Sequence, residues 1–231
     1  AIEEHHGEWM TPPETFEAVA RAFWNEGFKI HVHCSGDLGV ELALDTLEKL
    51  QWERPRFNHR FTIEHFGVST PEQVRRMADL GACASVNIYY VHELGDAYWK
   101  HKLGHERASQ MSRLGTLARH NVPTAVHTDF TMAPALPLNS AWVAATRISE
   151  AGHVMGAEER LSLDQAMRAI TTEAAYVLGL EHEIGSIRAG KKADFTILQQ
   201  DPYEVGAENL REIPIWGTVF EGRPFPIKPL K

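Results

Sequence analysis

The chain has 231 residues, of which 43% are hydrophobic and 23% are charged, and its formal net charge at pH 7 is -8. This composition is typical of a globular protein, and the acidic balance gives no sequence-wide attraction to nucleic acid or to an anionic membrane. No apolar run approaches the roughly 20 residues of a membrane-spanning helix, and the two cysteines, Cys34 and Cys83, are too few for a disulfide framework. We therefore expect a reducing, cytoplasmic setting, with no nucleic-acid partner and no membrane partner.

Apolar periodicity divides most of the chain into alternating helices and strands. Helices are predicted where apolar residues recur three and four positions apart, over 11–27, 39–51, 70–81, 106–120, 137–152 and 161–180. Short apolar or β-branched runs predict buried strands over 28–34, 60–66, 82–88 and 122–129. Thr11 and Thr70 are the expected N-caps of the first and third helices. Residues 89–105 form an insertion that is rich in aromatic residues and histidine.

The order of these elements predicts the fold class. Apolar strands that alternate with helices are typical of an α/β fold with a parallel sheet. Four such strands are predicted, whereas a closed (β/α)8 barrel has eight. From residue 183 the pattern changes, and two β-hairpins are expected, one over 183–198 and one over 216–225.

Three predicted strands end in a side chain that can bind a metal. The segments read IHVHCSGD, RFTIEHF and VPTAVHTD, and their donors are His33, His65 and Asp129. Ligands bind at the carboxyl ends of parallel strands, and imidazole nitrogen and carboxylate oxygen suit Zn, Fe, Mn or Ni. A single histidine is more simply a core residue, but three independent strand ends favour a divalent-metal site.

The neighbours of these donors have simpler expected roles. His31 shares a face with His33 but lies one layer deeper, so we expect a core histidine that supports His33 from beneath. Glu64 alternates to the opposite face of its strand and is expected in an outer salt bridge. His127 shares the face of Asp129 and is expected either behind that carboxylate or toward substrate.

The remaining polar candidates are weaker. Asp37 is expected to cap the helix that follows it, and Cys34 is expected to be a buried thiol. Four insertion side chains are lesser candidates for lining a substrate pocket: Tyr89, Tyr90, His92 and Trp99. The insertion histidines are otherwise expected to be solvated: His92, His101 and His105.

Four blocks together resemble the amidohydrolase superfamily, in particular the metal-dependent hydrolases of amidohydrolase family 3. IHVHCSGD resembles the fifth-strand block of that family, and RFTIEHFG resembles the sixth-strand block. NVPTAVHTDFTMAPALPLNSAW resembles the eighth-strand block, and TTEAAYVLGLEHEIGSIRAGKKADFTILQQDP resembles the C-terminal signature. The blocks follow one another in family order and span nearly the whole chain.

The resemblance implies an architecture. Residues 1–182 would be strands 5 to 8 of a TIM (β/α)8 barrel, and residues 183–231 would be strands of a small β-sandwich domain. The first-strand His-x-His pair and the fourth-strand bridging residue of the family would then lie upstream. The Gly-Asp that follows HVH, and the number of strands downstream, argue against reading HVH itself as that first-strand pair. We therefore expect a missing N-terminal half of the barrel, or a second chain, to complete the molecule; a homo-oligomer is compatible with this.

The resemblance also implies a chemistry. His33 corresponds to a metal ligand, His65 to a residue that binds metal or polarises the substrate carbonyl, and Asp129 to a metal ligand that also shuttles a proton. The cofactor would be one or two divalent ions, zinc first, with Fe, Mn or Ni as alternatives. The metal would lower the pKa of its water, and the activated water would cleave a C–N bond of a small molecule, by hydrolysis of an amide or cyclic amide or by deamination.

Two other functions remain open from the sequence. The first is a catalytically silent amidohydrolase-like protein with a binding or regulatory role. The second is an unrelated doubly wound α/β binding domain, which is disfavoured because the chain contains no glycine-rich phosphate loop.

Overall fold

The structure is a computed structural model that describes residues 7–227. Its α-helices are α1 Pro13–Asn25, α2 Asp37–Glu53, α3 Pro71–Leu80, α4 Tyr89–His92, α5 Gly95–His101, α6 Gly104–Ser109, α7 Leu114–Arg119, α8 Pro137–Thr146, α9 Leu163–Ala169, α10 Thr172–Leu178 and α11 Pro202–Val205. Its strands are β1 His31–Cys34, β2 Thr62–His65, β3 Cys83–Asn87, β4 Thr124–His127, β5 Phe195–Leu198, β6 Ile215–Phe220 and β7 Arg223–Pro226.

The first four strands form one parallel sheet in the order β1-β2-β3-β4. The predicted α/β class and the four predicted strands are therefore confirmed, although each strand is shorter than its apolar run. In register, His33 pairs with Glu64 and Asn87 pairs with His127. The carboxyl ends of the four strands consequently meet at one edge of the sheet.

The two predicted threonine caps have different outcomes. Thr70 caps α3 as expected: its side chain accepts a hydrogen bond from the backbone N–H of Gln73, and the Gln73 side-chain oxygen accepts one from the backbone N–H of Thr70. Thr11 does not cap α1, because the N-cap position is Pro12 and no side chain caps that end. The proline ring at this end already fixes a backbone angle that suits a helix start.

The single helix predicted over 106–120 is wrong, because the chain breaks between α6 and α7. Ser112 has a left-handed φ of 49°, its N–H donates to the Gly67 carbonyl at 2.9 Å, and its hydroxyl donates to the Asn87 carbonyl at 3.1 Å. These bonds tie the break to the loops that follow β2 and β3. Tertiary hydrogen bonds replace the helical ones at this point.

The helix predicted over 137–152 ends early, at Arg147, which has a φ of 57°. The Arg147 guanidinium is fully buried and donates to the backbone carbonyls of Met155, Ser112 and Met111 at 2.5, 3.0 and 2.7 Å. Burial lowers the pKa of Arg147 to about 10. The Arg147 side chain at the end of α8 therefore hydrogen-bonds the backbone carbonyl groups of neighbouring loops.

The helix predicted over 161–180 is also divided, into α9 and α10. Thr171 leaves the helical region with a φ of -132° and a ψ of -90°. Its hydroxyl donates to the Met167 carbonyl at 2.7 Å. A β-branched residue that bonds a carbonyl of the preceding turn competes with helix continuation.

The C-terminal segment forms one antiparallel sheet in the order β5-β6-β7. The hairpin predicted over 216–225 is confirmed by the pairing of β6 with β7. The hairpin predicted over 183–198 is wrong, since only its second half, β5, is a strand, and that strand pairs with β6. Turns occupy the first half, where the Lys191 ammonium donates to the Ile184 carbonyl and to the Ser186 hydroxyl.

The core lies between the parallel sheet and the helices that pack on it. Its largest fully buried apolar side chains include Trp24, Phe61, Phe66, Leu44, Leu47, Ile63 and Leu114. Over residues 7–227, no helix combines the length and the apolar character that crossing a bilayer requires.

Candidate functional site

The sheet edge brings together the three donors that the sequence singled out. The ring centroids of His33 and His65 lie 4.3 Å apart, and His65 Nδ1 lies 4.0 Å from Asp129 Oδ2. The structure therefore brings the side chains of these three strand ends close together.

Left-handed backbone at two strand ends produces this meeting. His65 has a φ of 69° and Asp129 a φ of 51°, whereas ordinary strand alternation would point His65 away from the face that carries Glu64. The chain turns instead, with the Phe66 N–H donating to the Glu64 carbonyl at 2.9 Å. Such conformations cost a non-glycine residue on the order of 1–3 kcal/mol and cluster at functional sites.

The His65 ring is prepared to act as a neutral donor. The residue is 8% exposed, and burial, followed by the proximity of His33 and His127, lowers the pKa of its imidazole. Its Nδ1 atom is buried and makes no hydrogen bond. A buried polar atom without a partner is costly, so this nitrogen is the clearest position for an external ligand.

The donor chemistry fits a divalent metal in part. Two imidazoles and one carboxylate are suitable ligands for zinc and its first-row neighbours. Within the described range 7–227, however, no three His, Cys, Asp or Glu side chains already stand in a finished metal-binding arrangement. The three residues fit as part of a ligand set that a metal would draw together.

A carboxylate lies beneath these donors, and its position corrects the sequence analysis. Glu64 does not face outward; its Oε1 accepts a hydrogen bond from His31 Nδ1 at 2.6 Å, and its Oε2 lies 3.7 Å from His127 Nε2. Burial opposes ionisation of Glu64, but hydrogen bonds from His31 and Ser85 outweigh it and lower the pKa of this carboxyl. Glu64 therefore links β1, β2 and β4 on the face that carries the donors.

The two histidines of unassigned role are both part of this network. His31 is not a core histidine, because it is exposed and bonds the Glu64 carboxylate. His127 is half-buried, burial lowers its pKa, and its Nδ1 accepts a hydrogen bond from the Asp129 backbone N–H at 3.1 Å. His127 thus lies behind Asp129, which was one of its two expected positions.

Comparison with known proteins identifies the family. The model of the amidohydrolase family matches residues 3–225. The chain belongs to the amidohydrolase family.

Its relatives within and around this family are considerably longer. Protein LONG AFTER FAR-RED 3 of Arabidopsis thaliana is 31% identical over 87% of this chain and 34% of its own length. N-substituted formamide deformylase of Arthrobacter pascens is 24% identical over 85% of the chain and 36% of its own length. A crystal structure of a metal-dependent hydrolase from Pyrococcus furiosus superposes with a TM-score of 0.68 and 25% identity, over 81% of the chain and 36% of that protein. The chain thus spans about a third of the length of these proteins.

The aromatic insertion of this amidohydrolase-family chain contributes one side chain next to the donors. The Tyr90 ring stacks on His65 at a centroid distance of 6.1 Å, and its hydroxyl lies 3.4 Å from Ser35 Oγ, which is itself 3.4 Å from His33 Nε2. Gly67 makes room for it, because a Cβ there would lie 2.9 Å from the Tyr90 ring. Ser35 was not predicted as a site residue, because it follows His33 by two positions without any motif of its own.

The other insertion residues are placed elsewhere. His92 is not solvated; its Nδ1 donates to the Ile148 carbonyl at 2.8 Å, and its ring packs against those of Tyr89 and Trp142. Trp99 packs between two histidines away from the donors. His101 and His105 are exposed, as expected.

The loop after β1 carries the remaining sequence candidates. Asp37 is the first residue of α2 rather than its N-cap, which is Gly36. Its Oδ1 accepts from the Leu38 N–H at 3.0 Å, and its Oδ2 pairs with Arg107 at 2.5 Å. Cys34 is a buried thiol, as expected, and burial raises its pKa to about 12.

One side of the site is open. Among the described residues β1 pairs only with β2, and a cleft of about 1130 Å³ lies along its free edge. His31 and His33 are exposed toward this cleft. Apolar side chains of α1 and the following loop also line it and are about half exposed: Val19, Phe23 and Phe28.

Proposed function

We propose that this chain is the donor-bearing half of a metal-dependent hydrolase that cleaves a C–N bond of a small molecule. The observation that carries the proposal is the buried, unpartnered Nδ1 of His65, 4.0 Å from the Asp129 carboxylate and beside the His33 ring. Membership of the amidohydrolase family supports the reaction class, which covers amides, cyclic amides and deamination.

His33, His65 and Asp129 would hold one or two divalent ions. Zinc is our first choice because nitrogen and carboxylate donors suit it, and the same donors accept Fe, Mn or Ni. When bound, the metal supplies Lewis-acid activation of the water and of the substrate carbonyl.

Asp129 and His65 would have different roles in the reaction. The side chain of Asp129 is 47% exposed, so its carboxylate can receive the proton of the attacking water and return it to the leaving nitrogen. His65 is buried and neutral, and the ring is fixed between His33 and Tyr90, so it orients the reacting carbonyl and stabilises the negative charge that develops on oxygen.

The architecture belongs to the same proposal. Residues 1–182 would form strands 5 to 8 of a TIM barrel, and residues 183–231 would contribute to a β-sandwich. A complementary N-terminal half, in the same protein or in a second chain, would pair with the free edge of β1 and cover the half-exposed side chains of α1. The length of the relatives and the open edge of β1 support this. A cytoplasmic location is consistent with two buried, unpaired cysteines.

The test is metal content measured by plasma mass spectrometry on the purified, zinc-reconstituted chain, together with an intact mass. We expect near-stoichiometric zinc in the wild type and its loss in His33→Ala and Asp129→Ala. His153→Ala is the matched control, because His153 is an exposed histidine that pairs with Asp96 away from the donors.

Three outcomes are informative. Absence of zinc from the wild type, or equal zinc in all variants, would overturn the proposed site. A second mass or a longer chain in the preparation would identify the partner half. Stoichiometric zinc in a completed barrel without hydrolysis of formamides, acyl amides, ring amides or ring amines would favour the catalytically silent alternative.

A further inference from the structure

The two ring nitrogens of His127 have different surroundings: Nδ1 makes a hydrogen bond, whereas Nε2 is buried without a hydrogen-bond partner. Nδ1 accepts a hydrogen bond from the Asp129 N–H at 3.1 Å, so it carries no proton in this arrangement. The proton of the neutral ring is therefore on Nε2, which lies 3.7 Å from Glu64 Oε2, close enough for electrostatic attraction but not hydrogen-bonded. The bond from the Asp129 N–H thus defines the tautomer, and the Glu64 carboxylate attracts the Nε2–H side of the ring.

The Glu64 carboxylate is itself held in place by a second histidine. The second oxygen of Glu64 accepts a hydrogen bond from His31 Nδ1 at 2.6 Å. His31 on β1 thus holds Glu64 in place beside His127 on β4, and this hydrogen bond stabilises the charge of the carboxylate. The network spans the sheet on the side of the donors, and the His127 ring also packs edge-on against the ring of His65 at a centroid distance of 5.1 Å.

Asp129, whose N–H donates to His127, has an unusual backbone conformation. Asp129 has a φ of 51°, in the left-handed region that most non-glycine residues avoid and that aspartate adopts as a single residue with local hydrogen bonding. The hydrogen bond from its own N–H to His127 acts on that backbone angle directly. The angle decides where the Asp129 carboxylate points.

We propose that His127, oriented by Glu64, is a positioning residue that holds the left-handed turn at Asp129 and so directs its carboxylate toward the metal. This inference rests on the proposed metal site. In the His-Thr-Asp sequence, the histidine would fix the turn and the aspartate would provide the metal ligand. Removing a group that orients a metal ligand typically lowers metal affinity about 10- to 100-fold.

The test is titration of the whole chain with Co²⁺, followed by the visible absorption of the bound ion and by its dissociation constant. In His127→Leu, which removes both ring contacts, we expect Co²⁺ to bind at least about tenfold more weakly, with a changed absorption spectrum. In His127→Asn, the side-chain oxygen replaces Nδ1 as acceptor, so the affinity and the spectrum should return close to those of the wild type. His153→Leu is the control.

Further variants keep the test decisive if His127→Leu does not fold, as judged by circular dichroism. His127→Gln has a polar group at the Nε2 side but no acceptor at the Nδ1 position, so it should lose affinity where His127→Asn does not. Glu64→Gln should give a smaller loss, because the ring keeps its bond to the Asp129 N–H.

The outcomes distinguish the two proposals. A wild-type chain that takes up no Co²⁺ would overturn the metal site and this inference with it. A wild type that binds Co²⁺, with His127→Leu of equal affinity and spectrum, would overturn only the inference. Equal losses in His127→Asn and His127→Gln would do the same, since a specific hydrogen bond would then not be responsible.

Discussion

The parallel sheet has a covered side and an open side, and they differ in what their side chains contact. On the covered side, formed by β2, β3 and β4, the apolar residues Phe61, Ile63 and Val86 are fully buried. On the open side, formed by β1 and α1, His31 and His33 are exposed, and Phe23 is 49% exposed. The covered side therefore buries its large apolar side chains, whereas apolar side chains on the open side are about half exposed.

The largest effect expected from this difference comes from truncating one phenylalanine on each side. Phe61→Ala should lower the free energy of unfolding by about 3–5 kcal/mol, because it removes a fully buried ring and leaves a cavity. Phe23→Ala should cost about 1 kcal/mol or less, since its ring is half exposed and packs mainly on Phe28. Urea denaturation of both variants measures the two losses in the free energy of unfolding. Equal losses would mean that the open side is covered in solution, for instance by a second copy.

A smaller effect is expected where the loop after β2 passes under Tyr90. Gly67→Ala would place a Cβ 2.9 Å from both the Ser35 carbonyl oxygen and the Tyr90 ring, and such overpacking costs about 1–3 kcal/mol. Thermal unfolding is the measurement. Gly39→Ala is the matched control: its Cβ meets only ordinary contacts, and alanine inside α2 should stabilise by about 0.5–1 kcal/mol. A Gly67→Ala variant as stable as the wild type would contradict the close approach of Tyr90.

The smallest effect is electrostatic and lies at the opposite end of the covered side. Arg60 is buried at the start of β2 and binds the Glu181 carboxylate, and this hydrogen bonding lowers the pKa of Glu181 from 4.5 to about 2. A carboxyl whose pKa is lower in the folded state stabilises above its unfolded pKa and loses that contribution on acidification. Stability should therefore fall between about pH 4.5 and pH 2.

Glu181→Gln isolates this contribution from the other carboxyl groups. The variant should be less stable than the wild type at pH 6, and the gap between them should close as the pH approaches 2. Denaturation curves at several pH values provide the comparison. A gap that does not change with pH would assign the loss to packing rather than to the ion pair.

The sequence could predict the four parallel strands, and single out three residues at their ends, because both depend on local patterns. Apolar runs marked the four strands, and His33, His65 and Asp129 were recognisable because each ends such a run. The capping pair of Thr70 and Gln73 was equally local. These features require only the period of a strand or helix and the chemistry of a few residues.

The errors arose where tertiary contacts overrule the local pattern. Alternation predicted Glu64 on the outer face, but the left-handed turn at His65 puts both residues on the donor side. The break at Ser112 depends on carbonyl groups of Gly67 and Asn87 that are distant in sequence. His92 packs against Trp142, a residue fifty positions later in a different helix. The spacing of apolar residues along the chain carries no information about contacts between residues that are distant in sequence.

At position 129, the positive φ favours glycine for stability, whereas the proposed site needs a carboxylate. Glycine at position 129 would adopt that backbone angle without strain, and would thereby make the fold more stable while it removed the carboxylate. A library selected for thermostability alone would be expected to enrich such replacements and to lose the site at the same time. Engineering of this chain should therefore hold position 129 fixed and seek its gains elsewhere, far from the strand ends.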